Sequence, residues 1–188
     1  MKAKIRITTS LNLSIGALCV LISGLAGATP VVNYDAGGHA IGISDLTVSG
    51  NDYDVSFVFG SYDSVFGTTD PTFLGDPTGA NAAADAIGAA MNAEATSPTI
   101  GKGASSGVVW TVYSVDVPGD RYFATQVGYQ PSPWRRFSDF TDNLTADRST
   151  EFDWAFAVFT PVPEPATLSL LGLALAGAAV ARRRRLRG

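Results

Sequence analysis

One cysteine, one histidine and almost no positive charge through the middle of the chain set the first limits. Cys19 is the only cysteine among 188 residues, and it lies in an N-terminal apolar run, so residues 29–160 hold neither a thiol nor a disulfide. His39 is the only histidine, and alone it cannot build a histidine- or cysteine-based metal centre; no metal site and no cofactor are expected. Of thirteen Lys and Arg, three stand in the first six residues and five in the last seven, leaving five between; of seventeen acids only Glu164 lies beyond Pro163. The middle therefore carries a net charge near −11, against −4 for the whole chain. Such a surface repels phosphate backbones and anionic headgroups, which excludes nucleic acid as a partner and suits an extracellular protein or a weak cation binder. Neither end has an aromatic residue. All nineteen fall between Tyr34 and Phe159, which argues for a packed domain over a disordered stalk.

The two ends are of another kind. Lys2, Lys4 and Arg6 precede a mostly apolar run over residues 11–25, and Ala26-Gly27-Ala28 follows as a small-x-small cleavage site. This is the layout of a secretory signal peptide, residues 1–28, handled by the Sec translocon and cut by signal peptidase at Ala26 and Ala28 to leave Thr29 first. Leu18 before Cys19 fits a lipoprotein box poorly, so Cys19 leaves with the signal. At the other end Val162-Pro163-Glu164-Pro165 is followed by sixteen uncharged residues, 166–181, and then by Arg182, Arg183, Arg184, Arg185 and Arg187. Sixteen helical residues extend roughly 24 Å, a little short of a hydrocarbon core of about 30 Å, so a helix here spans only marginally. The arginine cluster stays cytoplasmic by the positive-inside bias and acts as a stop signal.

A Pro-Glu-Pro triplet, a short Leu/Gly/Ala helix and a terminal arginine cluster, in this order and spacing, resemble the PEP-CTERM sorting signal of Gram-negative bacteria that make exopolysaccharide. The resemblance covers residues 162–188. It implies that Pro163, Glu164 and Pro165 are read by an exosortase, a membrane-embedded cysteine transpeptidase that removes the tail. Physically the triplet suits such a role: two prolines exclude helix and hold an extended segment, and Glu164 offers one charge. The alternative is a plain membrane anchor behind a proline-rich linker.

Between the signals the periodicity is mainly that of strands. Residues 41–48 form one candidate, Gly50-Asn51-Asp52 a turn, and Tyr53, Val55, Phe57 and Phe59 alternate with Asp54, Ser56 and Val58 as a half-buried return strand. The segment Tyr53-Asp54-Val55-Ser56-Phe57, ending at Gly60-Ser61, also resembles one seen in ectodomains with this sorting signal. Residues 61–78 read as a loop, with Asp76-Pro77 as a possible helix start and Gly79 or Ala80 as the rival one. Residues 80–95 are alanine-dense, with Ala84, Ile87 and Met91 at helical spacing, and predict a helix able to lie close on a sheet. Residues 108–117, the turn Pro118-Gly119-Asp120 and residues 122–129 predict a second hairpin. Residues 134–149 read as mostly loop. Residues 151–159 alternate, with Phe152, Trp154, Phe156 and Val158 on one side, and predict a last strand.

Candidate chemistry is sparse. Gly103-Ala104-Ser105-Ser106-Gly107 has the letters of a nucleophile elbow, but a glycine-rich loop precedes it, a strand follows it, and His39 lies upstream; a loop explains it better. Gly101-Lys102 lacks the upstream glycine of a phosphate loop, and Asn143-Leu144-Thr145 is a glycosylation sequon by pattern only. Asp52 with Asp54, or Asp139, Asp142 and Asp147, offer oxygen ligands to calcium without the EF-hand spacing, and solvated turn carboxylates are the better reading. With sixteen acids available, any pair could be nominated for glycoside hydrolysis, so nothing discriminates there. Trp134, Arg135 and Arg136 after a double-proline break form a speculative ligand patch, an exposed indole beside cations that could stack on a sugar. The competing account has Trp134 covering a sheet edge while the arginines offset nearby acids.

The expected protein is thus α+β, mainly β, with antiparallel hairpins and one alanine-rich helix over residues 29–160. An N-terminal signal helix precedes it, and the sorting signal with its transmembrane helix, residues 161–188, follows. It is read as a non-enzymatic, exported protein, held at the inner membrane as a precursor and then passed to the cell surface or matrix. There it is structural or adhesive in exopolysaccharide or biofilm, with extracellular polysaccharide as a possible partner. The rivals are a carbohydrate- or calcium-binding module and a polysaccharide hydrolase.

Overall fold

Two tight turns organise the strands. Ser49 and Gly50, both at positive φ (51° and 87°), join β2 (Ala40–Val48) to β3 (Asn51–Val58), and Val48 pairs Asn51 across a two-residue turn. Two consecutive left-handed residues match the strand twist, and glycine takes the second without cost. The second turn, at Val117 to Asp120, joins β4 (Gly107–Asp116) to β5 (Arg121–Tyr129); Asp116 Oδ1 accepts from Gly119 N at 3.2 Å and Asp120 sits at φ 50°. Both hairpins were expected, but the first turn was placed at Gly50-Asn51-Asp52, whereas Asn51 and Asp52 already pair within β3.

The structure is a computed structural model and describes residues 28–101, 107–129, 133–147, 153–163 and 174. The expected signal helix and transmembrane helix lie outside these residues. Among the described residues no helix is long and apolar enough to cross a membrane.

The described residues form a mainly β fold. Besides the two hairpins there are β1 (Val31–Tyr34), β6 (Arg135–Arg136), β7 (Phe140–Asn143) and β8 (Trp154–Pro161). The sheet order is β1-β2-β3-β8-β4-β5-β6, with β7 also on β5. All neighbouring pairs are antiparallel except β8 with β4, which run parallel through Val108↔Trp154 to Trp110↔Phe156, so the sheet is mixed. The last strand in sequence is therefore a central one, inserted between the hairpins. The expected alternation holds, with Trp154, Phe156 and Val158 sharing one side, but the other side, Ala155, Ala157 and Phe159, is buried as well, because β8 has a covered face on each side. Residues 151 and 152 lie outside the described set.

Two helices supply the covers. Asp76 caps α2 (Pro77–Ala93), its Oδ1 accepting from Gly79 N at 2.8 Å, with Pro77 at the first position, where its missing N–H costs nothing. Of the two starts considered, the earlier one holds. Ala80, Ala83, Ala84, Ile87, Ala90 and Met91 face the sheet and join one core cluster with Ile43, Leu46, Val55, Val109, Val127, Ala155 and Ala157. The alanines keep this helix face low, and α2 lies chiefly over β2, β4 and β5. The expected loop over residues 61–78 contains a short helix, α1 (Tyr62–Val65), with Ser61 as N-cap. Tyr62 and Phe66 cover the opposite face of the sheet, over Trp110, Tyr122 and Phe156. The expected loop over residues 134–149 likewise carries β6 and β7; Phe140 of β7 stacks on Trp110 at 4.9 Å and 12°. Short edge strands of two and four residues lack the periodicity that would show them in sequence.

Two substitutions test this packing. Thr111 and Thr125 face each other across β4 and β5 under α2, and both hydroxyls are buried without a hydrogen-bond partner. The double change Thr111→Val with Thr125→Val removes two unpaired hydroxyls at constant shape, so its urea midpoint should equal or exceed the parent's, by up to about 2 kcal/mol. Gly42 is the opposite case: an added Cβ would lie 2.2 Å from Val55 O on the paired strand. Gly42→Ala should destabilise by about 1–3 kcal/mol in the same measurement.

Candidate functional site

The place where β8 leaves the sheet is defined by hydrogen bonds up to its last donor. Pro161 pairs Tyr53, and Val162 N donates to Asp52 O at 2.9 Å. The next residue, Pro163, has no N–H, so the ladder ends there. On the other flank Thr72 Oγ1 donates to Phe159 O at 3.1 Å and Gly75 N to Tyr113 O at 2.8 Å, so the segment before α2 fills the gap where β8 and β4 part. Beneath, Phe159 packs edge to face with Tyr53 and with Phe73, which tilt against each other, all with centroids 5.0 to 6.0 Å apart, and the three anchor this end of the strand. Pro163 is exposed, whereas Glu164, Pro165 and the five tail arginines lie outside the described residues.

Both ends of the domain lie at this end of the sheet. From β8 through β3 and β2 to β1 the strands alternate in direction, so β1 begins where β8 finishes, and Val31 pairs Ser44. Residues 28–30 and 162–163 thus leave on the same side, separated by three strand spacings, about 14 Å. Ala28 is exposed; Ala26 lies outside the described residues. The β2–β3 turn and the β4–β5 turn are at this end too, the latter because β4 runs parallel to β8.

Beside it, on the α1 face, lies a recess of about 620 Å³ bordered by Tyr62, Asp63, Asp70, Leu74, Ser114 and Val117. Burial pushes the Tyr62 phenol above its ordinary value, and the carboxylates of Asp70 and Asp63 add to this. The ring of Tyr62 stacks on Tyr122 (5.7 Å, 17°) and packs against Phe66 (5.0 Å), so the recess offers hydroxyls and carboxylates but no open Tyr62 face.

The residues singled out from sequence do not gather into one site. Trp134 is 2% exposed; its Nε1 donates to Pro98 O at 2.9 Å and its backbone exchanges two bonds with the Asn92 amide. The indole is a core group, and no sugar can stack on it, which corrects the expected ligand patch. Arg135 lies over the Phe137 ring at 5.4 Å, and Arg136 reaches Asp85 and Asn81 of α2, both at 3.0 Å. The Arg136–Asp85 pair is exposed on both sides and contributes at most about 1 kcal/mol. Asp52 accepts from Thr47 Oγ1 and Asp54 from Asp45 N at 3.2 Å, serving the hairpin. Asp139 accepts from the Tyr113 hydroxyl at 3.1 Å, and Asp142 Oδ1 from Asn143 N. Among the described residues no three His, Cys, Asp or Glu side chains come together as metal ligands. His39 closes the β1–β2 loop: its N donates to Asp35 Oδ1 at 2.9 Å and its Nδ1 meets Thr99 Oγ1 at 3.2 Å. These backbone donors hold the Asp35 carboxyl below its ordinary range. Residues 102–106, with the serines of the elbow-like pattern, lie outside the described set.

Residues 161–185 match the family model of the PEP-CTERM protein-sorting motif. No curated protein and no solved structure matches the chain. The matched segment begins at Pro161, so the motif overlaps the folded domain by the last residue of β8. The motif lies where the sequence placed it, but the last strand, expected to end at Phe159, continues through Pro161. Only the Val162 N–H between two prolines hinted that one more bond could form.

Three phenols share a pH response. Burial comes first in raising Tyr34, Tyr62 and Tyr113, with Glu94 acting on Tyr34 and Asp139 on Tyr113. Below pH 10, the ordinary value, all are neutral in both states. Above it the unfolded chain loses its protons first, so folding stability should fall as pH rises from 10 through the raised native values. Thermal melting followed across that range checks the sign.

Proposed function

We propose that this is an exported protein whose acidic domain is the delivered part, held at the inner membrane by its tail until an exosortase-like enzyme reads Pro163-Glu164-Pro165 and removes the remainder. The observation that carries this reading is the sorting-motif match over residues 161–185, set at the exposed exit of the last strand. The N-terminal basic and apolar segment provides entry to the Sec translocon, and the tail with its arginines arrests the precursor in the membrane. Once released, the domain acts as a structural or adhesive element of the cell surface or exopolysaccharide matrix, without a catalytic step of its own. A charge near −11 keeps it soluble and apart from anionic lipid.

The recess near Tyr62 favours a second reading, a carbohydrate-binding module. Hydroxyl and carboxylate groups beside Leu74 and Val117 suit a sugar, which presents both polar edges and apolar faces.

Mass spectrometry of the chain recovered from cells and from extracellular material tests the main reading. The cell-associated precursor should contain residues 166–188, and the extracellular form should begin at Thr29 and lack them. Extracellular chains that keep the tail would rule out processing.

A further inference from the structure

We propose that the exit end of the sheet is itself a docking face for the membrane enzyme that reads the motif, so that the substrate determinant extends from Glu164 back onto the folded domain. This rests on the processing reading above and adds a contact that the motif alone does not contain.

Three observations point the same way. First, there is no spacer: the chain is held to Val162, and the Glu164 Cα can lie no more than about 7 Å from that of Val162. An enzyme that closes on Glu164 therefore meets the turn at Ser49-Gly50 and its neighbours directly. Second, residues 28–30 leave the domain at the same end, so both exits of the domain stand on the face that adjoins the motif. Third, this end carries exposed apolar side chains. Val117 is 72% exposed at the tip of the β4–β5 turn, and Leu74, 41% exposed, borders the same recess. Asp116 and Asp120 flank Val117 in the chain and Asp63 and Asp70 border its recess, while Asp52 stands on the β2–β3 turn at the same end; Arg121 is the one cation on these two turns. An apolar tip within an acidic rim complements a protein surface whose own rim is cationic, as a pocket for the Glu164 carboxylate would be. It does not complement anionic headgroups, since their charge has the same sign.

A docked domain holds the motif at the enzyme at a high effective concentration, which a flexible insert dilutes. The test uses the full chain, exported in its own cells, with the ratio of processed to intact chain read by mass spectrometry. Ten Gly/Ser residues inserted between Val162 and Pro163 should lower the processing rate by roughly an order of magnitude. Val117→Lys should lower it severalfold, and an unchanged melting temperature would show that the fold is intact. Equal or faster processing with the insert would mean that the domain is only an obstacle, and would overturn the proposal. If Val117→Lys instead releases the precursor from the membrane fraction in cells without the enzyme, the face rests on lipid and the proposal fails as well. Deletion of residues 163–165 separates the two levels. Should that deletion leave processing unchanged, the processing reading itself is wrong; should it abolish processing while insert and Val117→Lys behave as the parent, only the docking face is wrong.

Discussion

The fold depends on the pairing of β8 with two partners at once. β3 takes it antiparallel over Tyr53 to Val58, and β4 takes it parallel over Val108 to Trp110. Without it the β2–β3 and β4–β5 hairpins would each present a bare edge and share no hydrogen bonds. Its side chains fit the two sides unequally. Ala155 and Ala157 give small side chains to the core cluster that α2 joins, whereas Phe156 fills the other side among Trp110, Tyr122 and Phe66. A single strand thus sets a thin helical layer on one face and a thick aromatic layer on the other.

The same strand links fold to export chemistry. Its final residue opens the sorting-motif match, and the bond from Val162 N to Asp52 O is the last that the ladder makes before a proline ends it. The motif match therefore starts at a hydrogen-bonded strand end, beside the β2–β3 turn.

How far this was legible from sequence depended on the range of the interactions. Turn residues act locally, so Gly50 and Pro118-Gly119 marked both hairpins, and Asp76-Pro77 marked the helix start. The sorting motif was legible because it is linear. The burial of Trp134 was not, since it depends on Asn92 and Pro98, some forty residues away in sequence. The central place of β8 was equally hidden: the alanines at 155 and 157 look neutral in a hydrophobic pattern, and their burial follows only from the sheet order. β1, β6 and β7 are too short for periodicity to register, and α1 begins at a serine cap within a stretch rich in glycine and aspartate.

The strand that joins the two hairpins is also the last to be synthesised, and it pairs with β3 roughly a hundred residues upstream. Closing a loop of that size is slow, and it cannot begin before the final strand exists. A chain built this way keeps its two hairpins unjoined until nearly all of the domain has been made. Completion of the sheet then coincides with the appearance of the sorting motif, whose match opens on the closing strand's own last residue.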